Sequence, residues 1–519
     1  MRGRAARRRA DARGRRPPAV VLGLSLPVLA LALVPLVFVV VYAVSTGWDE
    51  AWRLLVRPRV GELLVNTVRL VVGGVVASAV IGTAAAWLVE RTHLPGRQVW
   101  NALLVAPLAV PAFVNSYGWV SLTSKVEGFA GAVLIVTMSY FPLVYLPVAS
   151  TLRGLDPALE ETAAALGHGR WRTFWRVVLP QLRPGLLGGS LLVGLHLLAE
   201  FGALQLLRFP TFTTAIYDQY RSSFNGPAAN MLAGVLVLCC LVLLLGEQRA
   251  RGHARLARVG SGARRQIERV RLGPWLPLAL LALALLAVLA LGVPVASLVH
   301  WLVSGSSTAF PVGSLVSTTV TSLALGAGAA ALTVVAALPV AWLAVRYPRW
   351  TTTLIERGTY TANALPGIVV ALALVTVAIR FAQPVYQTTL LLVLAYVTMF
   401  LPRGVVSARA AIVQAPPILD DVAHSLGVSR WGTFRRVSLP LIAPGLGAGA
   451  ALVFIAVATE LTATLLLSPI GTQTLATQFW SNSSSIAYGA AAPYAAMMIL
   501  ISLPATFLLT REARRSSTA

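Results

Sequence analysis

The chain has 519 residues, 57% of them hydrophobic and only 12% charged, with a mean hydropathy of +0.76. That charged share is about half of what a soluble domain carries, which excludes a water-soluble globular enzyme or binding module. The net charge of +24 does not point to nucleic acid, because the arginines flank apolar runs and are not interleaved with stacking aromatics.

In chain order, the basic stretch Arg2 to Arg16 leads into Ala19 to Val44. That apolar run is too long for the core of a signal peptide and lacks a small-residue cleavage site, so it reads as a first transmembrane helix. Further apolar runs lie near 64–89, 99–121, 129–151, 184–207 and 228–247. A basic segment, Arg249 to Arg271, separates these from runs near 275–303, 316–345, 355–380, 387–412, 445–468 and 489–510. The adjacent Cys239 and Cys240 lie inside one run and have no metal-ligand spacing. The fold class expected is all-α: a polytopic membrane protein of about twelve transmembrane helices.

The basic tail places the N-terminus in the cytoplasm, and an even span count returns the mid-chain linker and the C-terminus to the same side. The outer loop carrying Arg53, Arg57 and Arg59 is a mild exception, offset in part by Asp49, Glu50 and Glu62. The expected organisation is a basic tail 1–18, a first repeat 19–247, a basic linker 248–273, a second repeat 274–510 and a tail 511–519. Each repeat holds an even number of spans, so the two run parallel rather than inverted.

The repeat is visible in the sequence. AAAWLVERT (84–92) answers PVAWLAVRY (339–347), and LLAEFGALQLL (197–207) answers VATELTATLLL (457–467). The clearest pair is polar. LEETAAALGHGRWRTFWRVVLP starts at Leu159 and LDDVAHSLGVSRWGTFRRVSLP at Leu419, an offset of 260 residues without a gap. These sit in loops 153–184 and 413–444, both cytoplasmic by the span count.

Each insert reads as two short helices. Asp156-Pro157 supplies an N-cap and a proline at the first helical position, Glu160 and Glu161 favour the first turns, and Gly167 ends the helix. Trp171, Phe174 and Val178 then form an apolar stripe on a second helix, before Pro180 and Pro184. Two equivalent plugs imply a partner with two equivalent sockets.

The pattern Glu161, Thr162, Ala163, Gly167, Leu179-Pro180 and its copy Asp421, Val422, Ala423, Gly427, Leu439-Pro440 resembles the EAA motif. That motif is the coupling loop of permease subunits in binding-protein-dependent ABC importers. Thr162 and Val422 stand where the motif has its first alanine, and Asp421 where it has glutamate. The resemblance implies a type I importer permease fold and ATPase coupling through Glu161, Ala163, Gly167, Arg170, Pro180, Asp421, Ala423, Gly427, Arg430 and Pro440. The partners it implies are two copies of a nucleotide-binding ATPase subunit, an extracytoplasmic solute-binding protein and the lipid bilayer, with the chain in the cell membrane.

A phosphate-binding loop requires Gly-Lys-Ser/Thr, and the only lysine, Lys125, follows Ser124. The chain is therefore expected to be a transport subunit and not an enzyme, binding no cofactor, with ATP and Mg on the partner ATPase. The fused arrangement, with PAFVNSYGWV (111–120) and the two Glu-centred segments, resembles ferric iron permeases and, less closely, thiamine permeases.

Glu200 and Glu460 occupy matched positions, and an acid within a bilayer costs on the order of 2–3 kcal/mol or more unless it faces a polar path or partner. They are the candidate translocation-path residues for a cationic solute, ferric iron being a hard cation suited to oxygen ligands. The alternative is a structural hydrogen-bonding role. Asn115 and Tyr117 are weaker path candidates. His196, one turn before Glu200, has Ala456 as its counterpart, which favours a packing role. No metal site is assigned. The remaining alternatives are the same type of permease for thiamine or another small cation, and an ion-gradient-driven secondary transporter. ERTHLPGR (90–97) lacks the loop signature expected of the latter.

Overall fold

The computed structural model describes residues 17–223, 225–251, 269–304 and 312–515. The basic stretch Arg2 to Arg16 and most of the 248–273 linker lie outside them. Among the described residues regular structure is helical, apart from one isolated bridge between Thr92 and Val270. A chain this apolar has little choice, since in lipid every backbone N–H and C=O must be satisfied within the protein.

Among the described residues, eight helices are long and apolar enough to cross a membrane. Counting each of two bent pairs as one span raises the number to ten. The two other expected spans, 355–380 and 489–510, hold the shorter apolar helices Gly367–Phe381 and Tyr488–Pro504. The expectation of about twelve full-length spans is corrected accordingly: each expected run holds a helix, but several helices are short or broken.

The breaks follow from local chemistry. Arg97–Ala109 and Ala112–Val120 meet at 92°. Val110, which precedes Pro111, is extended at φ −99, ψ 112. Leu365 before Pro366 does the same at φ −101, ψ 124, ahead of Gly367–Phe381. Proline denies its predecessor the helical region and then starts the next helix, so the matched prolines interrupt both copies at one place. Phe129–Tyr140 and Pro142–Gly154 meet at 43°, whereas their counterpart Thr389–Gln414 continues through Pro402. The runs expected to be continuous at 184–207 and 445–468 are also interrupted. Leu179–Ala199 stops at Glu200 before Gly202–Leu206, and Leu439–Ala458 stops before Thr462–Leu467.

The chain forms two compact units that do not coincide with the two halves of the sequence. One comprises Met1–Ala51 and Pro311–Gln478, the other Trp52–Phe310 and Phe479–Ala519. In the first unit, Ala19–Thr46 packs on Val312–Arg346, with Ala32 buried among Ala337, Val340, Leu343, Leu401 and Val405. In the second, Val293–Ser304 packs on Ala112–Val120, where Ser121 Oγ and Ser297 Oγ share a 2.8 Å hydrogen bond. There too the Tyr117 hydroxyl donates to the Tyr488 carbonyl at 2.7 Å, tying in the C-terminal helix. Each unit thus draws helices from both sequence repeats.

The two longest helices, Pro58–Arg91 and Val312–Arg346, contain 34 and 35 residues. At 1.5 Å per residue each reaches about 50 Å, well past a hydrocarbon core of about 30 Å. Each therefore extends past the apolar layer, and their C-terminal turns carry Trp87 with Arg91, and Trp342 with Arg346.

Close packing at Gly131 gives a direct test. A Cβ there would lie 1.7 Å from the Val126 carbonyl oxygen, while one at Gly328 would meet nothing within 4 Å. Gly131→Ala should lower the thermal midpoint of the detergent-solubilised protein, at a cost of about 1–3 kcal/mol or more. Gly328→Ala should leave it unchanged or raise it, worth up to about 1 kcal/mol. Equal midpoints for the two variants would contradict this packing.

Candidate functional site

The two polar inserts fold alike. Asp156 accepts the Ala158 N–H at 3.1 Å and caps the helix Pro157–Ala165, with Pro157 at its first position. The helix ends as the glycine requires. Gly167 has φ +76, its N–H donates to Ala164 O at 2.9 Å, and the His168 N–H donates to Ala163 O at 3.0 Å. In the copy, Pro417–Ser425 ends at Gly427 with φ +78, Gly427 donating to His424 O and Val428 to Ala423 O, both at 3.0 Å. Both are Schellman ends, and the left-handed residue they need favours glycine.

The second short helix departs from the expected single α-helical stripe. Arg170–Thr173 and Arg430–Thr433 each run into a π-turn, Phe174–Val178 and Phe434–Ser438. Pro180 and Pro440 have no N–H to offer the carbonyl four residues back. The ladder shifts by one residue, so that Leu179 N–H donates to Phe174 O and Leu439 N–H to Phe434 O. The extra residue splits the stripe: Val178 is buried while Trp171 is 73% exposed.

Of the expected coupling residues, Ala163 and Ala423 are buried. Glu161, Gly167, Asp421, Gly427, Arg430 and Pro440 are exposed, and Pro180 is half-buried. Arg170 opens its helix, but its side chain lies outside the described residues. Large apolar side chains stand exposed at matched positions: Leu166 and Leu426, Trp171 and Trp431.

The residues that hold each insert in place are ones the motif did not single out. Arg91 Nη2 donates to Glu160 Oε1 at 2.6 Å, and Arg346 Nη2 lies 3.2 Å from Asp420 Oδ2. Each guanidinium lies over a tryptophan of its own helix, Arg91 over Trp87 at 5.6 Å and Arg346 over Trp342 at 5.3 Å. Each tryptophan meets the π-turn phenylalanine edge-on, Trp87 with Phe174 and Trp342 with Phe434. The carboxylate, arginine, tryptophan and phenylalanine thus form one latch per repeat, joining the first short helix of the insert to the longest helix of its unit. The signal was in the sequence, since WLVER and WLAVR repeat, but it took the fold to bring them to the inserts. The latches are not identical. Glu90 also pairs with Arg97 and Arg153, where the other copy has Val345.

The two matched acids sit at the helix breaks. Glu200 Oε1 accepts the Ala203 N–H at 3.0 Å and Oε2 the Tyr140 hydroxyl at 2.5 Å. The Glu460 carboxylate accepts from Ala463 N–H at 3.1 Å, and from the N–H and hydroxyl of Thr464 at 3.3 and 3.1 Å. Both carboxylates therefore satisfy backbone donors that the break would otherwise leave bare. Both residues remain half-buried rather than enclosed. Asn115 and Tyr117 are each 1% exposed. The Asn115 amide donates to Ser139 Oγ at 2.8 Å, its Oδ1 having no hydrogen-bond partner, and the Tyr117 ring packs on Phe479 and Tyr488. Among the described residues no group of three His, Cys, Asp or Glu side chains could hold a metal ion.

If the latch orients the docking helix, replacing Arg91 and Arg346 by methionine should free it, because each change leaves a partly buried carboxylate unpaired. Hydrogen–deuterium exchange across 157–165 and 417–425 should then rise at least about tenfold, with exchange in 129–140 unchanged. Unaltered exchange in the docking helices would rule out the latch.

Comparison with known proteins matches this doubled architecture. Residues 18–248 and 335–517 match the family described as binding-protein-dependent transport system inner membrane component. The chain is 38% identical over 506 residues to the Fe(3+)-transport system permease protein FbpB 2 of Haemophilus influenzae, covering 96% of this chain and 99% of the relative. It is 32% identical over 245 residues to the sulfate transport system permease protein CysT of Escherichia coli, covering 43% of this chain and 88% of the relative. The molybdenum transport system permease protein ModB of the same organism is 33% identical over 201 residues, covering 34% and 87%. These relatives are transport permease subunits and not enzymes, and the last two align with less than half of this chain. The chain belongs to the family of inner-membrane components of binding-protein-dependent transport systems, as a multi-pass permease with two repeats in one polypeptide.

Proposed function

We propose that the chain is the membrane permease of an ATP-driven importer of ferric iron, moving iron delivered by an extracytoplasmic binding protein. The observation that carries the cargo is likeness along nearly the whole length to a permease named for Fe(3+) transport. The sulfate and molybdenum permeases are matched over one stretch only. Family membership leaves no room for a gradient-driven secondary carrier.

In this reading two copies of a separate ATPase subunit engage the inserts, one on each docking helix, with Leu166 and Trp171, or Leu426 and Trp431, supplying the exposed apolar contact. ATP and Mg are held on those subunits, and this chain binds no cofactor. The latches carry the motion: a push on Pro157–Ala165 reaches Pro58–Arg91 through Glu160 and Arg91, and the second copy works through Asp420 and Arg346. The N- and C-termini, the linker and both inserts face the cytoplasm. Glu200 and Glu460 line the translocation path as well as capping their short helices. Asn115 and Tyr117 are the weaker path candidates, each 1% exposed.

Two experiments test this reading. In a background lacking Cys239 and Cys240, single cysteines at Trp52 and Ala263 are exposed to a membrane-impermeant thiol reagent in intact cells. Position 52 should label and position 263 should not, and labelling at 263 would reverse the orientation. In proteoliposomes with the binding protein and ATPase, radioactive ferric iron should accumulate and thiamine should not. Gly167→Leu with Gly427→Leu should lower iron uptake and solute-stimulated ATPase activity together, roughly tenfold or more, because leucine is strained at these left-handed positions. The double variant Glu200→Gln, Glu460→Gln should slow uptake while leaving the ATPase bound. Thiamine uptake in place of iron would refute the cargo, and normal ATPase stimulation in the double leucine variant would refute the docking role.

A further inference from the structure

The two acids are matched in sequence but not in surroundings. Around Glu460 both carboxylate oxygens serve the start of Thr462–Leu467. Around Glu200 only Oε1 does so, and Oε2 is held by the phenol of Tyr140 at 2.5 Å. His196 lies one turn earlier on the same helix, its ring 5.3 Å from that of Tyr140 between centroids. A carbonyl oxygen only accepts, so His196 Nδ1, 2.8 Å from Leu192 O, carries a proton, which in the neutral ring leaves the lone pair on Nε2. The counterparts of Tyr140 and His196 in the second repeat are Phe400 and Ala456. A phenol, a carboxylate and an imidazole therefore gather at the broken end of Leu179–Ala199, all half-buried, within one unit.

We propose that Tyr140, Glu200 and His196 form a transit site for a ferric ion, made by residues of the first repeat that Phe400 and Ala456 replace in the second. This rests on the reading of the cargo as ferric iron. The chemistry suits a hard trivalent cation, with phenolate and carboxylate oxygens as the main ligands and the imidazole nitrogen as a third. As the iron–oxygen bond to Tyr140 forms, the O–H bond breaks and its proton passes to water. No electron moves, and iron stays ferric. Glu200 Oε2 gives up one hydrogen bond and gains the ion, while Oε1 keeps its cap on Ala203. Glu460 could ligate only by uncapping its own short helix. Two anionic ligands offset two of the three positive charges. Three protein ligands leave the rest of the shell to water or an accompanying anion, which keeps the ion able to leave.

The test uses the purified full-length permease in detergent, titrated with ferric nitrilotriacetate. A phenolate bound to ferric iron gives a visible charge-transfer band, which a merely structural Tyr–Glu hydrogen bond does not. The wild type should develop this band. Tyr140→Phe should abolish it and slow iron uptake by at least about tenfold, with its melting temperature near that of the wild type, since the second repeat already carries Phe400 at that place. Near Glu460 the buried Tyr396 hydroxyl is bonded to Thr464 Oγ1 at 2.7 Å and not to the carboxylate, so Glu460→Gln should leave the band intact. A folded wild type without the band, or a band that persists in Tyr140→Phe, overturns the site. Iron uptake without the band removes this site and leaves the cargo reading standing, whereas failure to take up iron at all strikes the cargo reading itself.

Discussion

A helix that breaks inside a bilayer exposes backbone N–H groups where no water can reach them, and this constraint governs the rest of the molecule. The protein breaks its helices repeatedly and answers each break locally. Pro111 and Pro366 start new helices without needing the missing donor. Glu200 and Glu460 place a carboxylate at the start of Gly202–Leu206 and Thr462–Leu467. A buried acid, costly by itself in an apolar layer, becomes the least costly way to end one helix and begin another.

At the other end of these helices the constraint is mechanical. A docking helix of nine residues cannot hold its shape alone, because helices this short are marginal in water. Three devices fix it: a left-handed glycine at its end, a proline-driven π-turn beyond it, and an arginine–carboxylate tie to the longest helix of the unit. Each is a local rule of backbone or charge, and each appears twice. The tie is only partly exposed, with Arg91 at 4% and Arg346 at 13%, which protects it from the screening that makes surface ion pairs weak.

The two repeats have also diverged, and where they differ is informative. The polar inserts, the latches and the breaks before Pro111 and Pro366 are kept in both. Tyr140, His196 and the Glu90–Arg97–Arg153 cluster belong to the first repeat only, against Phe400, Ala456 and Val345 in the second.

Membrane class, the doubled inserts, their proline starts and glycine ends, and the matched acids could all be read from the sequence. Each depends on local rules: hydropathy over a span, proline's missing N–H, glycine's access to positive φ, and the cost of charge in lipid. The family likeness was legible for the same reason, since the motif is short and contiguous. Four features were decided only by tertiary structure. Helices from both sequence repeats build each compact unit, because side-chain complementarity and not chain order decides what packs on Ala19–Thr46. Arg91 finds Glu160 across 69 residues of chain, a contact no local pattern encodes. The spans expected at 184–207 and 445–468 are broken, because hydropathy measures apolarity and cannot register a carboxylate turning back to cap a new helix. Tyr140 reaches Glu200 across 60 residues, so that an unremarkable tyrosine in an apolar run becomes the neighbour that sets one acid apart from its twin.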